Sequence, residues 1–216
     1  MPKTTILFDL DGTLIDSTSS ILNGFHSAFS KFGFAQPNDE QICSLIGHPL
    51  DYMFCSLGVP NSLVLNFVDT YKEAYRKTYL EQTKLLDGAK EAVELASNIA
   101  DIGVVTTKTS KYSICLLEHL GIGKYFQTVV GKDDVINPKP HPEPILKALS
   151  NLNKSNQNAY MIGDTSMDAM AVKGANIISI GVSCGYEKID NLFKICDWVE
   201  KNPKEAVERV NIISNL

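Results

Sequence analysis

Thr4-Thr5-Ile6-Leu7-Phe8-Asp9-Leu10-Asp11-Gly12-Thr13 is the stretch whose reading decides the fold. Residues 4–10 are rich in β-branched and apolar residues and run into Asp-Gly, the pattern of a buried strand followed by a turn. Similar apolar runs recur at 102–107, 160–163 and 177–180. Between them, 88–96, 110–120, 142–149 and 167–173 read as helices. Strands alternating with helices of that length imply right-handed βαβ units and a parallel sheet covered on both faces. The expected class is α/β.

From residue 15 to 84 this rhythm breaks. No convincing buried strand occurs there, and the segment reads as several helices. Ser17 is placed to cap the first, burying Ile21, Leu22, Phe25, Ala28 and Phe29 at helical spacing. Pro37, Pro49 and Pro60 punctuate the remainder. An all-helical insertion directly after the first strand reads as a cap domain. The expected organisation is a core of residues 1–14 and 85–216 with an α-helical cap over 15–84. Ligands of such folds bind at the carboxyl ends of the parallel strands.

Composition narrows the partners. With 216 residues, 44% hydrophobic and 21% charged, the chain has the balance of a globular protein that folds without staples. The formal charge of −5 and the absence of a basic block argue against nucleic acid or an anionic membrane surface as partners. Cys43, Cys55, Cys115, Cys184 and Cys196 form no C-x-x-C pair, so they read as free thiols rather than a disulfide framework or zinc site. No segment approaches the ~20 apolar residues that span a bilayer. The expectation is a cytoplasmic protein.

Four elements carry chemistry. Asp9 and Asp11 sit at the end of the first strand, two residues apart, where their carboxylates crowd unless a cation, proton or partner compensates. Asp164 and Asp168, in Gly163-Asp164-Thr165-Ser166-Met167-Asp168, follow a second apolar strand, with Asp168 near a helix start. Four carboxylates on one rim call for a hard divalent cation with oxygen ligands, which favours Mg2+; either Asp164 or Asp168 can also cap the helix. Lys139 lies in Asn137-Pro138-Lys139-Pro140-His141-Pro142-Glu143, a loop stiffened by three prolines, and one ammonium delivered to an acidic rim would hold Asp9 ionised and neutralise a phosphoryl group. Thr106, at the end of Gly103-Val104-Val105, offers a hydroxyl for phosphate oxygens.

These four elements, in this order and with a helical insertion after the first, resemble the haloacid dehalogenase superfamily, and more narrowly its phosphoglycolate phosphatase group. The resemblance implies a Rossmann-like core with an α-helical cap and a small phosphorylated metabolite as substrate. It implies Asp9 as nucleophile and Mg2+ ligand, and Asp11 as general acid then base, binding Mg2+ through its carbonyl. Thr106 and Lys139 would bind phosphate, with Lys139 also orienting Asp9. Asp164 would ligate Mg2+, as would Asp168 directly or through water. Family dehalogenases lack an aspartate at the position of Asp11 and the ion-pumping ATPases carry threonine there, so Asp11 favours a phosphatase or mutase.

Around this set, Thr107 and Lys108 are candidate substrate contacts, Thr107 standing where many relatives carry asparagine. His48, in Ile46-Gly47-His48-Pro49, falls where the group often reads its substrate, although a turn histidine beside proline is more often only that. Phe67, Tyr71, Tyr75 and Tyr79 recur at helical spacing and read as packing; Trp198 reads as peripheral core. Within the same chemistry, a β-phosphoglucomutase-like mutase and a pyrophosphatase stand as alternatives. A non-catalytic phospholigand-binding protein is the alternative of another class.

Overall fold

The computed structural model describes residues 4–214. They divide into two compact units, one of residues up to Asp16 and from Leu85 on, the other Ser17–Lys84. Among the described residues, no helix is long and apolar enough to cross a membrane.

The first unit is built on a six-stranded sheet. Its strands are β1 (Thr4–Phe8), β4 (Ala100–Val105), β5 (Thr128–Val130), β6 (Ala159–Gly163), β7 (Ile178–Val182) and β8 (Trp198–Glu200), in the order β5-β4-β1-β6-β7-β8. Every neighbouring pair is parallel, with Phe8 opposite Val104 on one side and Ile162 on the other. A separate two-stranded ribbon pairs β2 (Ile15–Asp16) with β3 (Lys84–Leu85).

Parallel pairing requires a crossover for each step, and its right-handedness sorts the helices between the two faces. The chain steps from β1 outward to β4 and β5 through α5 (Ala89–Ile99) and α6 (Ser110–His119). It then returns across β1 to β6, β7 and β8 through α7 (Glu143–Asn151), α8 (Ser166–Ala175) and α9 (Ile189–Ile195). Leu7, Val105, Val130 and Met161 pack with Ile145, Ala148 and Leu149 of α7 and Ala171 and Val172 of α8. The last helix, α10 (Pro203–Ile213), packs on α5. The reversal of direction at β1 makes the carboxyl ends of β1, β4 and β6 the switch point, where such sheets bind ligands.

The second unit contains α1 (Thr18–Lys31), α2 (Asp39–Cys43), α3 (Leu50–Ser56) and α4 (Val64–Thr78). Its core is aromatic. Phe67 is fully buried, with the rings of Phe29, Phe32, Phe34 and Phe54 between 4.6 and 5.5 Å from its own, centre to centre. Tyr71, Tyr75 and Tyr79 form a stack along α4. Gly24 lets α4 approach α1, since a Cβ there would stand 2.5 Å from the Tyr71 ring.

Several local expectations need correction. Ser17 occupies the N-cap of α1 but makes no side-chain capping bond; its carbonyl instead accepts from the Ser20 hydroxyl and the Ile21 N–H. Leu22 is only half-buried, while Ile21, Phe25, Ala28 and Phe29 are in the core. Trp198 lies on the edge strand β8, 42% exposed, with the Arg209 guanidinium 4.7 Å from its ring.

Candidate active site

β1 ends at Phe8, so Asp9 is already in the turn beyond the strand, its N–H tied to the Ile162 carbonyl at 2.9 Å. The turn needs Gly12, which has φ +82°, a conformation side chains disfavour. It has no room for one either: a Cβ would stand 2.3 Å from Asp164 Oδ2. β6 delivers Asp164 from the neighbouring strand, and Asp168 follows on the first turn of α8.

Lys139 lies at the centre. It is 2% exposed, and its ammonium donates to Asp9 Oδ1 at 2.7 Å, Asp168 Oδ1 at 2.6 Å and the Val105 carbonyl at 3.1 Å. Those three acceptors match the three N–H donors of a lysine. A buried ammonium is costly unless paired, and here it is paired twice. Asp168 serves two partners at once, because its Oδ2 accepts from the Thr165 N–H at 3.1 Å and the Thr165 hydroxyl at 2.6 Å. The expected helix-capping role of Asp168 therefore coexists with its place in the cluster.

Asp164 is fully buried and anchored through both oxygens. Oδ1 accepts from the Thr13 hydroxyl at 3.0 Å and Oδ2 from the Tyr186 N–H at 2.8 Å. The loop carrying Tyr186 can come this close because residue 185 is glycine; a Cβ there would stand 2.1 Å from Asp164 Oδ2.

Asp9, Asp164 and Asp168 each offer a carboxylate oxygen within 4.8 Å of the others. Burial, then repulsion from Asp168, pushes Asp9 up to about 7 against the pull of Lys139. Burial, then Asp9 and Asp168, raises Asp164 well above the ordinary carboxylate range. Burial disfavours the charge on Lys139, but Asp168 and Asp9 outweigh it and hold the ammonium protonated. With all three ionised, three carboxylates against one ammonium leave two negative charges, which a divalent cation would neutralise. Buried oxygen donors are also what a hard cation requires, so the residues fit such an ion.

Asp11 is not one of these three acids. Its Oδ2 lies 3.3 Å from Lys108 Nζ. Each aspartate of the first motif thus meets a different lysine. Thr106 is buried at the end of β4, its hydroxyl oxygen accepting the Lys108 N–H at 3.2 Å; Thr107 is half-buried between them. His48 lies in the second unit, between α2 and α3, and stacks on Tyr52 with ring centres 4.4 Å apart. Thr13, Thr165, Gly185 and the Tyr186 N–H are site components that the sequence reading missed.

Residues 6–182 match the family described as haloacid dehalogenase-like hydrolase. A Dickeya dadantii protein named "Probable phosphatase IndB" is 34% identical, over 88% of this chain and 85% of its own. A phosphoglycolate phosphatase of Yersinia pseudotuberculosis is 30% identical, over 84% of this chain and 81% of its own. Among solved structures, a haloacid dehalogenase-like family hydrolase of Streptococcus pneumoniae superposes with a TM-score of 0.87 at 25% identity, over 96% of this chain and 98% of its own.

Proposed function

The chain belongs to the haloacid dehalogenase-like hydrolases, and from that membership we propose that it is a Mg2+-dependent phosphatase that hydrolyses a small phosphomonoester through an aspartyl-phosphate on Asp9. 2-Phosphoglycolate is the first substrate to test, because a relative over most of the chain carries that activity in its name. The reading rests above all on the buried Lys139 ammonium held between Asp9 and Asp168, with Asp164 beside them. Cysteines without disulfides fit the cytoplasm.

Phosphoryl transfer needs positioning and charge neutralisation more than elaborate covalent machinery. Asp9, Asp164 and Asp168, with the Asp11 carbonyl, would hold Mg2+, which when bound neutralises charge on the transferring group. Lys139 fixes one oxygen of Asp9 and favours its ionised form against the burial that opposes it. That carboxylate attacks phosphorus, and the ester P–O bond breaks as Asp11 protonates the departing alkoxide. Asp11 then takes a proton from water, whose oxygen attacks phosphorus. Cleavage of the acyl-phosphate bond releases inorganic phosphate and restores Asp9. The Thr106 hydroxyl, Thr107, Lys108 and Lys139 line the route of the phosphate oxygens.

The test is phosphate release from 2-phosphoglycolate, sugar phosphates, nucleotides and pyrophosphate, with Mg2+ or with EDTA. Release is expected to need the metal and to vanish in Asp9→Asn without loss of fold. Robust turnover by that variant would refute the nucleophile. No release from any substrate would favour a mutase or a binding protein instead.

A further inference from the structure

Glu143 is the first residue of α7, and its carboxylate does not face solvent alone. Oε1 accepts the Ile136 N–H at 2.9 Å; Oε2 accepts the Asn137 N–H at 3.0 Å and the Asn137 side-chain amide at 2.9 Å. One side chain therefore ties the beginning of the loop to its end. Between the two lie Pro138, Lys139, Pro140, His141 and Pro142.

The prolines restrict φ but bring no N–H groups, so the loop has few internal hydrogen bonds to set its shape. Within it, the His141 N–H reaches the Pro138 carbonyl at 3.0 Å and the Glu143 N–H reaches His141 Nδ1 at 3.2 Å. What closes the loop end to end is the Glu143 carboxylate. Its charge also suits the first turn of a helix, where the macrodipole favours an anion. The Ile136 N–H, then the Asn137 side chain, hold it below the ordinary carboxylate range.

We propose that Glu143 is a positioning residue: by closing the loop of residues 136–143 it fixes the backbone from which Lys139 reaches Asp9 and Asp168. The proposal rests on the role given to Lys139 above. Lys139 makes ion pairs of 2.7 and 2.6 Å from the tip of a long, flexible side chain, so its Cα must be held closely. A misplacement of about 1 Å in such a group costs on the order of a hundredfold in rate.

The experiment compares Glu143→Ala, Glu143→Gln and Lys139→Ala with the wild type, using Mg2+ and an aryl phosphate. Glu143→Ala is expected to lower kcat roughly ten- to a hundredfold with KM little changed. Glu143→Gln retains one carbonyl acceptor but turns an NH2 group toward N–H donors, so its loss should be intermediate. The second readout is chemical: acetylation of lysines followed by mass spectrometry. Lys139 should be protected in the wild type and labelled in Glu143→Ala, while Lys108 and Lys154 keep their wild-type labelling. A purely structural role would raise labelling at all three. Wild-type kcat in Glu143→Ala, or a lowered kcat with Lys139 still protected, would overturn the proposal. Should Glu143→Ala not fold, the same two readouts on Glu143→Gln decide it. Full activity in Lys139→Ala would instead refute the role of Lys139, whatever Glu143 does.

Discussion

Lys108 Nζ stands 3.3 Å from Asp11 Oδ2, with both side chains largely withdrawn from water, 11% and 13% exposed. The two aspartates of the first motif thus meet different lysines, although Asp11 still repels Asp9. Asp9 meets Lys139 within the acidic cluster, whereas Asp11 meets Lys108. In the proposed mechanism Asp11 exchanges a proton with substrate, and Lys108 is the cation beside it.

Lys108→Met should therefore damage turnover. A hydrogen bond to a charged group is worth about 1.5–3 kcal/mol, which corresponds to a loss of roughly ten- to a hundredfold in kcat. Lys108→Arg should lose less. Steady-state kinetics on an alkyl phosphate is the check, and unchanged kcat in Lys108→Met would remove Lys108 from the machinery.

Gly185→Ala should weaken divalent-metal binding without unfolding the protein. Its Cβ would stand 2.1 Å from Asp164 Oδ2, so either the carboxylate or the loop must move. Displacing the support of a metal ligand typically costs about 10–100-fold in affinity. Mn2+ titration followed by electron paramagnetic resonance measures this without any substrate. An affinity equal to the wild type would show that the close approach of this loop to Asp164 is not needed to hold the ion.

Phe67→Ala should destabilise the helical unit by about 3–5 kcal/mol, the usual cost of emptying an aromatic core position. Phe67 is fully buried and meets four other phenylalanine rings. Denaturant unfolding measures the cost, with signals from each unit followed separately because the two need not unfold together. A loss below about 1 kcal/mol would mean that the remaining rings close the gap.

His26 should make stability depend on pH near neutrality. Nδ1 faces Gln36 Oε1 at 2.9 Å and Nε2 faces Asp39 Oδ1 at 2.8 Å, so both ring nitrogens meet acceptors and only the imidazolium satisfies both. Burial opposes the charge, but Gln36 and Asp39 outweigh it and raise the group above its ordinary 6.5. A raised basic group contributes stability in full below the unfolded value of 6.5 and loses it as pH rises through the folded value. His26→Ala should thus cost more at about pH 5.5 than at about pH 9. Equal losses in melts at both would refute the pairing.

Much of this was legible in the sequence, for reasons that are local. A strand buried on both faces must be apolar throughout, which is why β1, β4, β6 and β7 stand out as continuous runs. β5 and β8 do not, because each has only three residues and lies at an edge of the sheet. Side-chain chemistry singled out Asp9, Asp164, Asp168 and Lys139, and the fold brings them together.

What stayed hidden was the supporting contacts. Tyr186 serves Asp164 through its backbone N–H, which any residue but proline possesses, and Gly185 serves by what it lacks. Asp9 and Asp11 read as neighbours on one strand face, but β1 stops at Phe8 and the turn sends each to a different lysine. Glu143 was not singled out at all. Its bonds to Ile136 and Asn137 depend on a loop path that composition does not specify.

β1 lies in the interior of the sheet although it precedes both of its neighbours in the chain. During synthesis on a ribosome, its two hydrogen-bonding edges stay open until Ala100–Val105 and then Ala159–Gly163 have been made. Until then the nascent polypeptide carries an apolar strand with at least one edge unpaired, the kind of segment that chaperones bind and that pairs wrongly with other copies. The yield of active protein in a cell should therefore depend on how quickly the later half of the chain emerges.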